Sequence, residues 1–190
     1  MKNTLKLAVV IVLTSATLGS TAQNKKALAA TEMTSNYTVA EVQEGQKKSP
    51  EMEASRKIGE KVVTVNYSAP SIRERKVWGE LVPFDKVWRT GANSATTITF
   101  SANTMVEGKE VAAGTYALFT IPGEKTWKVI LNTDAKQWGA YDYDSKKNVL
   151  NVEVTPRMED KSVEQMNFSF NEENSLVFAW EKLRFDLKMK

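Results

Sequence analysis

From Lys61 onward, β-branched and aromatic residues fall in short runs separated by turn residues about every eight to twelve positions, the spacing of an all-β sandwich or barrel. The runs predict strands over 61–67, 95–100, 115–121, 126–132, 149–154, 163–170, 175–180 and 182–187. The last three show the pattern best: Met166, Phe168 and Phe170, then Leu176, Phe178 and Trp180, then Leu183, Phe185 and Leu187 stand at every second position. A period of two puts each trio on one face of its strand, so these rings are core rather than a binding platform. Lys182, Arg184, Asp186 and Lys188 take the alternate positions of the final strand, as expected of a sheet with one wet face. Hairpin turns are signalled at Glu107-Gly108-Lys109, at Pro122-Gly123-Glu124 and between Asn171 and Asn174. No long helical periodicity follows residue 60, which argues against crossover helices and a parallel sheet. The fold expected is two packed antiparallel sheets, a β-sandwich with jelly-roll-like connections, over residues 56–190.

Ahead of the strands the pattern changes twice. Residues 1–22 have the three parts of a secretory signal: Lys2 and Lys6, an apolar run from Leu7 to Leu13, then small residues through Ser20, Thr21 and Ala22, with cleavage expected after Ala22. Thr14, Ser15, Thr17, Gly19 and Ser20 dilute the run before the ~20 apolar residues of a membrane span. Residues 23–55 carry only scattered large apolar groups, Leu28, Met33, Tyr37 and Val39, and read as a flexible linker with at most a short helix over 38–43.

Composition sharpens the destination. The chain has no cysteine, which excludes disulfides and a lipid on a cysteine beside the cleavage site. The expectation is therefore a soluble periplasmic or secreted protein without a stable membrane anchor, stabilised by an ordinary apolar core. The net charge of +3 falls to +1 once Lys2 and Lys6 are set aside, and no basic run suggests nucleic acid as a partner.

Six segments carry a recognisable family pattern: Tyr67-Ser68-Ala69-Pro70-Ser71, Leu81-Val82-Pro83, Val87-Trp88-Arg89-Thr90-Gly91-Ala92-Asn93, Ala113-Gly114-Thr115-Tyr116, Phe119-Thr120-Ile121-Pro122-Gly123 and Trp138-Gly139-Ala140-Tyr141-Asp142-Tyr143. With the closing Trp180-Glu181-Lys182-Leu183 block, they resemble an exported bacterial family, domain of unknown function 2911, from about residue 60 to the C-terminus. The chain departs from that pattern at Glu74-Arg75, where the family often has Gly-Arg. The resemblance implies a β-sandwich outside the cytoplasm and no particular reaction.

Chemistry narrows by elimination. With no histidine, Ser-His-Asp and Cys-His pairs and imidazole-ligated zinc are excluded. Ser68 or Ser71 has no lysine at a recognisable spacing for a dyad, and both sit beside Pro70 as turn residues do. Asp142, Asp144, Asn148 and Glu153 match four offsets of a calcium loop, but Lys146 and Lys147 break it, so no metal and no cofactor is assigned. Asp142 with Asp144, Glu80 or Asp85 could form the carboxylate pair of a glycoside hydrolase or lyase, but such loop acids more often cap turns or pair with Arg73, Arg75 or Arg89.

One constellation is left: Trp88, Arg89 and Asn93 from one loop, with Trp138, Tyr141, Asp142 and Tyr143 from another. Flat rings beside hydrogen-bonding groups suit a glycan or another small envelope ligand. The competing reading makes Trp88 core, Arg89 a buried partner of Asp85 or Asp142, and Tyr141 a corner anchor. Three functions follow, in order: a ligand-binding envelope protein, an acid-only hydrolase or lyase, and a structural protein that pairs through a sheet edge.

Overall fold

The computed structural model describes residues 37–41 and 48–190, so the expected export segment and much of the expected linker lie outside the described residues. Eleven strands follow in chain order: β1 (Tyr37–Glu41), β2 (Glu51–Ile58), β3 (Lys61–Ser68), β4 (Thr97–Phe100), β5 (Thr104–Val106), β6 (Lys109–Val111), β7 (Gly114–Ile121), β8 (Trp127–Asn132), β9 (Asn148–Val154), β10 (Arg157–Phe170) and β11 (Leu176–Leu187). Seven of them form one antiparallel sheet in the order β1-β2-β3-β4-β7-β8-β9. The long β10–β11 ribbon faces it, and β5–β6 is a small separate hairpin. At that hairpin Glu107 (φ 46°) and Gly108 (φ 77°) are both left-handed, the two-residue turn whose twist matches the strands it joins.

The all-β, antiparallel, two-layer expectation holds, and the jelly-roll connection does not. Apart from the inserted β5–β6 hairpin, sheet neighbours are chain neighbours, so the large sheet is an up-and-down meander. Connections as short as Gly59-Glu60 and as long as residues 69–96 alike return the chain beside the preceding strand, and it passes to the ribbon only after β9.

Four local readings are also corrected. Residues 51–55, assigned to the linker for their polarity, lie in β2, which pairs with β3 from Glu51↔Ser68 to Ile58↔Lys61. The inward positions of β2 include Ala54 and Arg56, whose Nε donates to Asn174 Oδ1 at 3.0 Å, so a buried row looks polar. Of the short helix allowed over 38–43, residues 38–41 lie instead in β1, paired with β2, and 42–43 lie outside the described residues. At the C-terminus, the two strands expected on either side of Glu181 are one strand, β11. Glu181 has φ 54° at a break in the β10–β11 register, and this bulge moves the inward positions from even to odd numbers. Leu176, Phe178, Trp180, Leu183, Phe185 and Leu187 therefore all face the core. Arg184, expected on the wet face, is buried: Nη1 donates to the carbonyls of Glu181 and Leu183 and Nη2 to that of Lys161.

Between the layers, Val63, Val65 and Tyr67 of β3, Ile98 and Phe100 of β4, Leu118 of β7 and Trp127, Val129 and Leu131 of β8 meet Met166, Phe168 and Phe170 of β10 and the apolar row of β11. Trp88 and Trp180 stack at 6.0 Å, while Trp78 sets its edge on Trp127 at 5.0 Å. A second, smaller cluster lies on the opposite face of β7 and β8, where Ala117, Phe119 and Ile130 are covered by Val87, Ala140 and Tyr143 from two loops. Those loops position the site. At the family departure, Arg73 (φ 49°) and Glu74 (φ 59°) are both left-handed, a conformation that glycine adopts without the cost of about 1 kcal/mol borne by a side chain.

Candidate functional site

The loop after β8 is built on Asn132, which is fully buried. Its Nδ2 donates to Asp144 O and Asn148 Oδ1, and its Oδ1 accepts from Asp134 N–H. Asp144 caps a short 3-10 turn (Ser145–Lys147) by accepting from Lys146 N–H, and Lys147 Nζ closes the loop on Asp134 Oδ2 at 2.8 Å. That ion pair raises the Lys147 pKa, first through its hydrogen bond to Asp134.

So anchored, residues 137–139 zip onto the segment before β4. Ala95 N–H donates to Gln137 O, Gly139 N–H to Asn93 O, and Ser94 bridges to Trp138. The two loops singled out in the sequence therefore meet. They wall an open cleft of about 870 Å³ whose floor is the outer face of the sheet: Glu51 of β2, Asn66 and Ser68 of β3, and Thr97 of β4. Asn93, Ser94, Gln137 and Trp138 form the wall, with Lys48 and Lys136 also lining it. Trp138 is 62% exposed, so its ring stands at this cleft largely free of the fold.

The expected site residues divide. Asn93 and Trp138 line this cleft. Tyr141, 85% exposed, lies against Gly139, which holds φ +70° with no room for a Cβ beneath the ring. Asp142 is exposed and lines neither this cleft nor the smaller one described next. Tyr143 turns inward, its ring 5.1 Å from Phe119 and its hydroxyl accepting from Asn148 Nδ2. Trp88 is core, as the competing reading had it: its main chain exchanges hydrogen bonds with Thr120 of β7, directing the indole between the layers, where Nε1 donates to Gly91 O.

Arg89 lines the second cleft, of about 290 Å³, together with Lys48, Ser49, Arg73, Arg75, Trp88 and Trp180. The pairing expected of Arg73, Arg75 and Arg89 with acids does not occur among the described residues. Arg73 Nη2 donates to Lys48 O, and Arg75 donates through Nε to Ile72 O and through Nη2 to Ser71 O. Arg89 O accepts from Thr96 N–H, but among the described residues its side chain makes no hydrogen bond or ion pair, and its Nε is buried without a partner. Burial lowers the Arg89 pKa, and nearby Tyr141 acts in the opposite direction. The acids proposed for hydrolysis are not gathered either: Glu80 pairs with Lys76 at the surface, and Glu80, Asp85, Asp142 and Asp144 line neither cleft.

Sequence reasoning missed Glu51, Asn66, Ser68, Thr97 and Gln137 at the larger cleft. The polar alternates of β3, Thr64, Asn66 and Ser68, carried the signal, since period two places them opposite Val63, Val65 and Tyr67. Lys48, Arg73 and Arg75 come to the smaller cleft through irregular chain, where no periodicity applies.

Fold and site together define a two-layer antiparallel β domain whose loops and outer sheet face frame two adjacent clefts. Residues 49–189 match the family model described as "Protein of unknown function (DUF2911)", and the chain belongs to that family. No curated protein and no solved structure matches it.

Proposed function

We infer that this is an exported binding protein, at work in the periplasm or beyond, and that the larger cleft takes a saccharide of the cell envelope or its surroundings. The observation that carries the reading is Trp138, a 62% exposed indole on the rim of a cleft of about 870 Å³ whose lining holds several neutral amide and hydroxyl side chains beside Lys48, Glu51 and Lys136. An indole face covers the apolar face of a pyranose, while Asn66, Ser68, Asn93, Thr97 and Gln137 match its hydroxyls as donors and acceptors. Leaving a tryptophan in water forgoes about 1.5–3 kcal/mol of burial, a cost that ligand binding would recover. Export is supported by the signal-like pattern of residues 1–22.

The acid-only hydrolase has no comparable support, because among the described residues Glu51 is the single carboxylate lining the larger cleft and none lines the smaller. An array of bacterial envelope oligosaccharides probed with the chain and with Trp138→Ala tests the reading. Selective binding that the substitution reduces about tenfold or more is expected. An array without selective binding, or a variant that binds equally well, overturns it.

A further inference from the structure

We propose that the smaller cleft is a binding site for a doubly charged oxyanion, a phosphoryl or sulfuryl group. Lys48, Arg73, Arg75 and Arg89 line a space of about 290 Å³ that, among the described residues, no aspartate or glutamate lines. Like charges held around so small a volume repel one another unless a counter-charge joins them. Among the described residues none of the lining side chains provides one. Arg73 and Arg75 donate to main-chain carbonyls, which fix the guanidinium groups without neutralising them. Glu164, the acid that reaches this loop, accepts the main-chain N–H of Arg73 instead of its side chain. Among the described residues Arg89 donates to none, and its buried Nε leaves a charged group partly desolvated without compensation.

An unpaired guanidinium at a cleft is costly unless something occupies the place of its partner. Guanidinium forks match the tetrahedral oxygens of phosphate and sulfate, and three of them with an ammonium favour a dianion over a single carboxylate. The left-handed pair Arg73 and Glu74 puts local backbone strain in the loop that carries two of the four cations, a feature that recurs at ligand clamps. Lys48 and Ser49 line both clefts, so an anionic group here can be borne by a sugar in the larger cleft or arrive as a free ion. The anion site does not depend on the saccharide reading.

The full chain is titrated at low ionic strength with inorganic phosphate, inorganic sulfate, glucose and glucose 6-phosphate, by calorimetry and by the fluorescence of Trp88 and Trp180, which line the cleft. Saturable binding of phosphate or sulfate is expected, weakening as salt is added. Arg89→Gln and, separately, the exposed Arg75→Gln should each weaken it about tenfold or more with little change in thermal midpoint. Glucose 6-phosphate binding tighter than phosphate, with the increment lost in Trp138→Ala, assigns the anion to a sugar, and equal binding of the two assigns a free ion. Absence of saturable binding by all three anions, or binding unchanged in both arginine variants, overturns the proposal. Phosphate binding retained in Trp138→Ala while oligosaccharide binding fails in every form would leave this site standing and remove the saccharide reading.

Discussion

At Trp138 the residue is 62% exposed and at Trp88 it is 9% exposed, so the same substitution has opposite consequences at the two positions. Trp88→Ala removes ring contacts to Trp78, Trp127, Phe178 and Trp180 and leaves a cavity between the layers, at a cost of about 3–5 kcal/mol. Trp138→Ala deletes a largely solvated side chain and should change stability by less than about 0.5 kcal/mol. Urea unfolding midpoints of the two variants check the contrast, and a large loss at Trp138 would make it a structural residue. Which tryptophan faces inward was not legible in the sequence. Both stand in loops among glycine and polar residues, where the period of two does not operate, and only the pairing of Trp88 with Thr120 decides the matter. Arg89 was legible as a residue of interest, but its lack of a partner is a fact of three-dimensional packing.

Along the elements, Tyr67 of β3 joins the large sheet to the covering ribbon. Its hydroxyl donates to Asn167 Oδ1 at 2.9 Å and accepts the N–H of Phe168, both in β10. Burial pushes its pKa up to about 12, against a smaller opposing effect of the Phe168 N–H. In the unfolded chain the phenol ionises near pH ~10, so between about pH 10 and 12 the unfolded state loses its proton first and stability falls as pH rises, by up to roughly 2–3 kcal/mol. Tyr67→Phe should flatten this alkaline loss while lowering stability at neutral pH by about 1–3 kcal/mol, since Asn167 Oδ1 and the Phe168 N–H lose their partner. Denaturant unfolding across the alkaline range measures both, and an unchanged slope in the variant would show that Tyr67 does not govern it. Strands such as β8 and β9 were readable because their buried rows are apolar at every second position. β2 was not, because Arg56 occupies an inward position and is satisfied by Asn174, over a hundred residues away in the chain. The two-strand reading of β11 failed for a related reason: a bulge at Glu181 interrupts the alternation without ending the strand.

Over the whole molecule, the meander gives the large sheet two faces with different tasks. The inner face carries the core shared with β10 and β11; the outer face is covered at β7 and β8 by loop residues and left open at β2, β3 and β4, where the larger cleft lies. Trp138 and neutral polar groups gather at that opening with Glu51 and Lys136, and three arginines at its neighbour, with Lys48 and Ser49 common to both. The two-layer architecture could be read from alternation alone. The clefts could not, because they depend on residues 48–52, 66–75, 89–97 and 135–138 being brought together by tertiary pairing. The most direct test of the account is acrylamide quenching of tryptophan fluorescence with and without an oligosaccharide selected on the array. Trp88, Trp127 and Trp180 are buried and Trp78 is half-buried, so Trp138 supplies most of the accessible emission. The saccharide should shield that fraction in the native chain and change nothing in Trp138→Ala. A saccharide that binds while Trp138 remains fully quenchable would contradict the placement of the site.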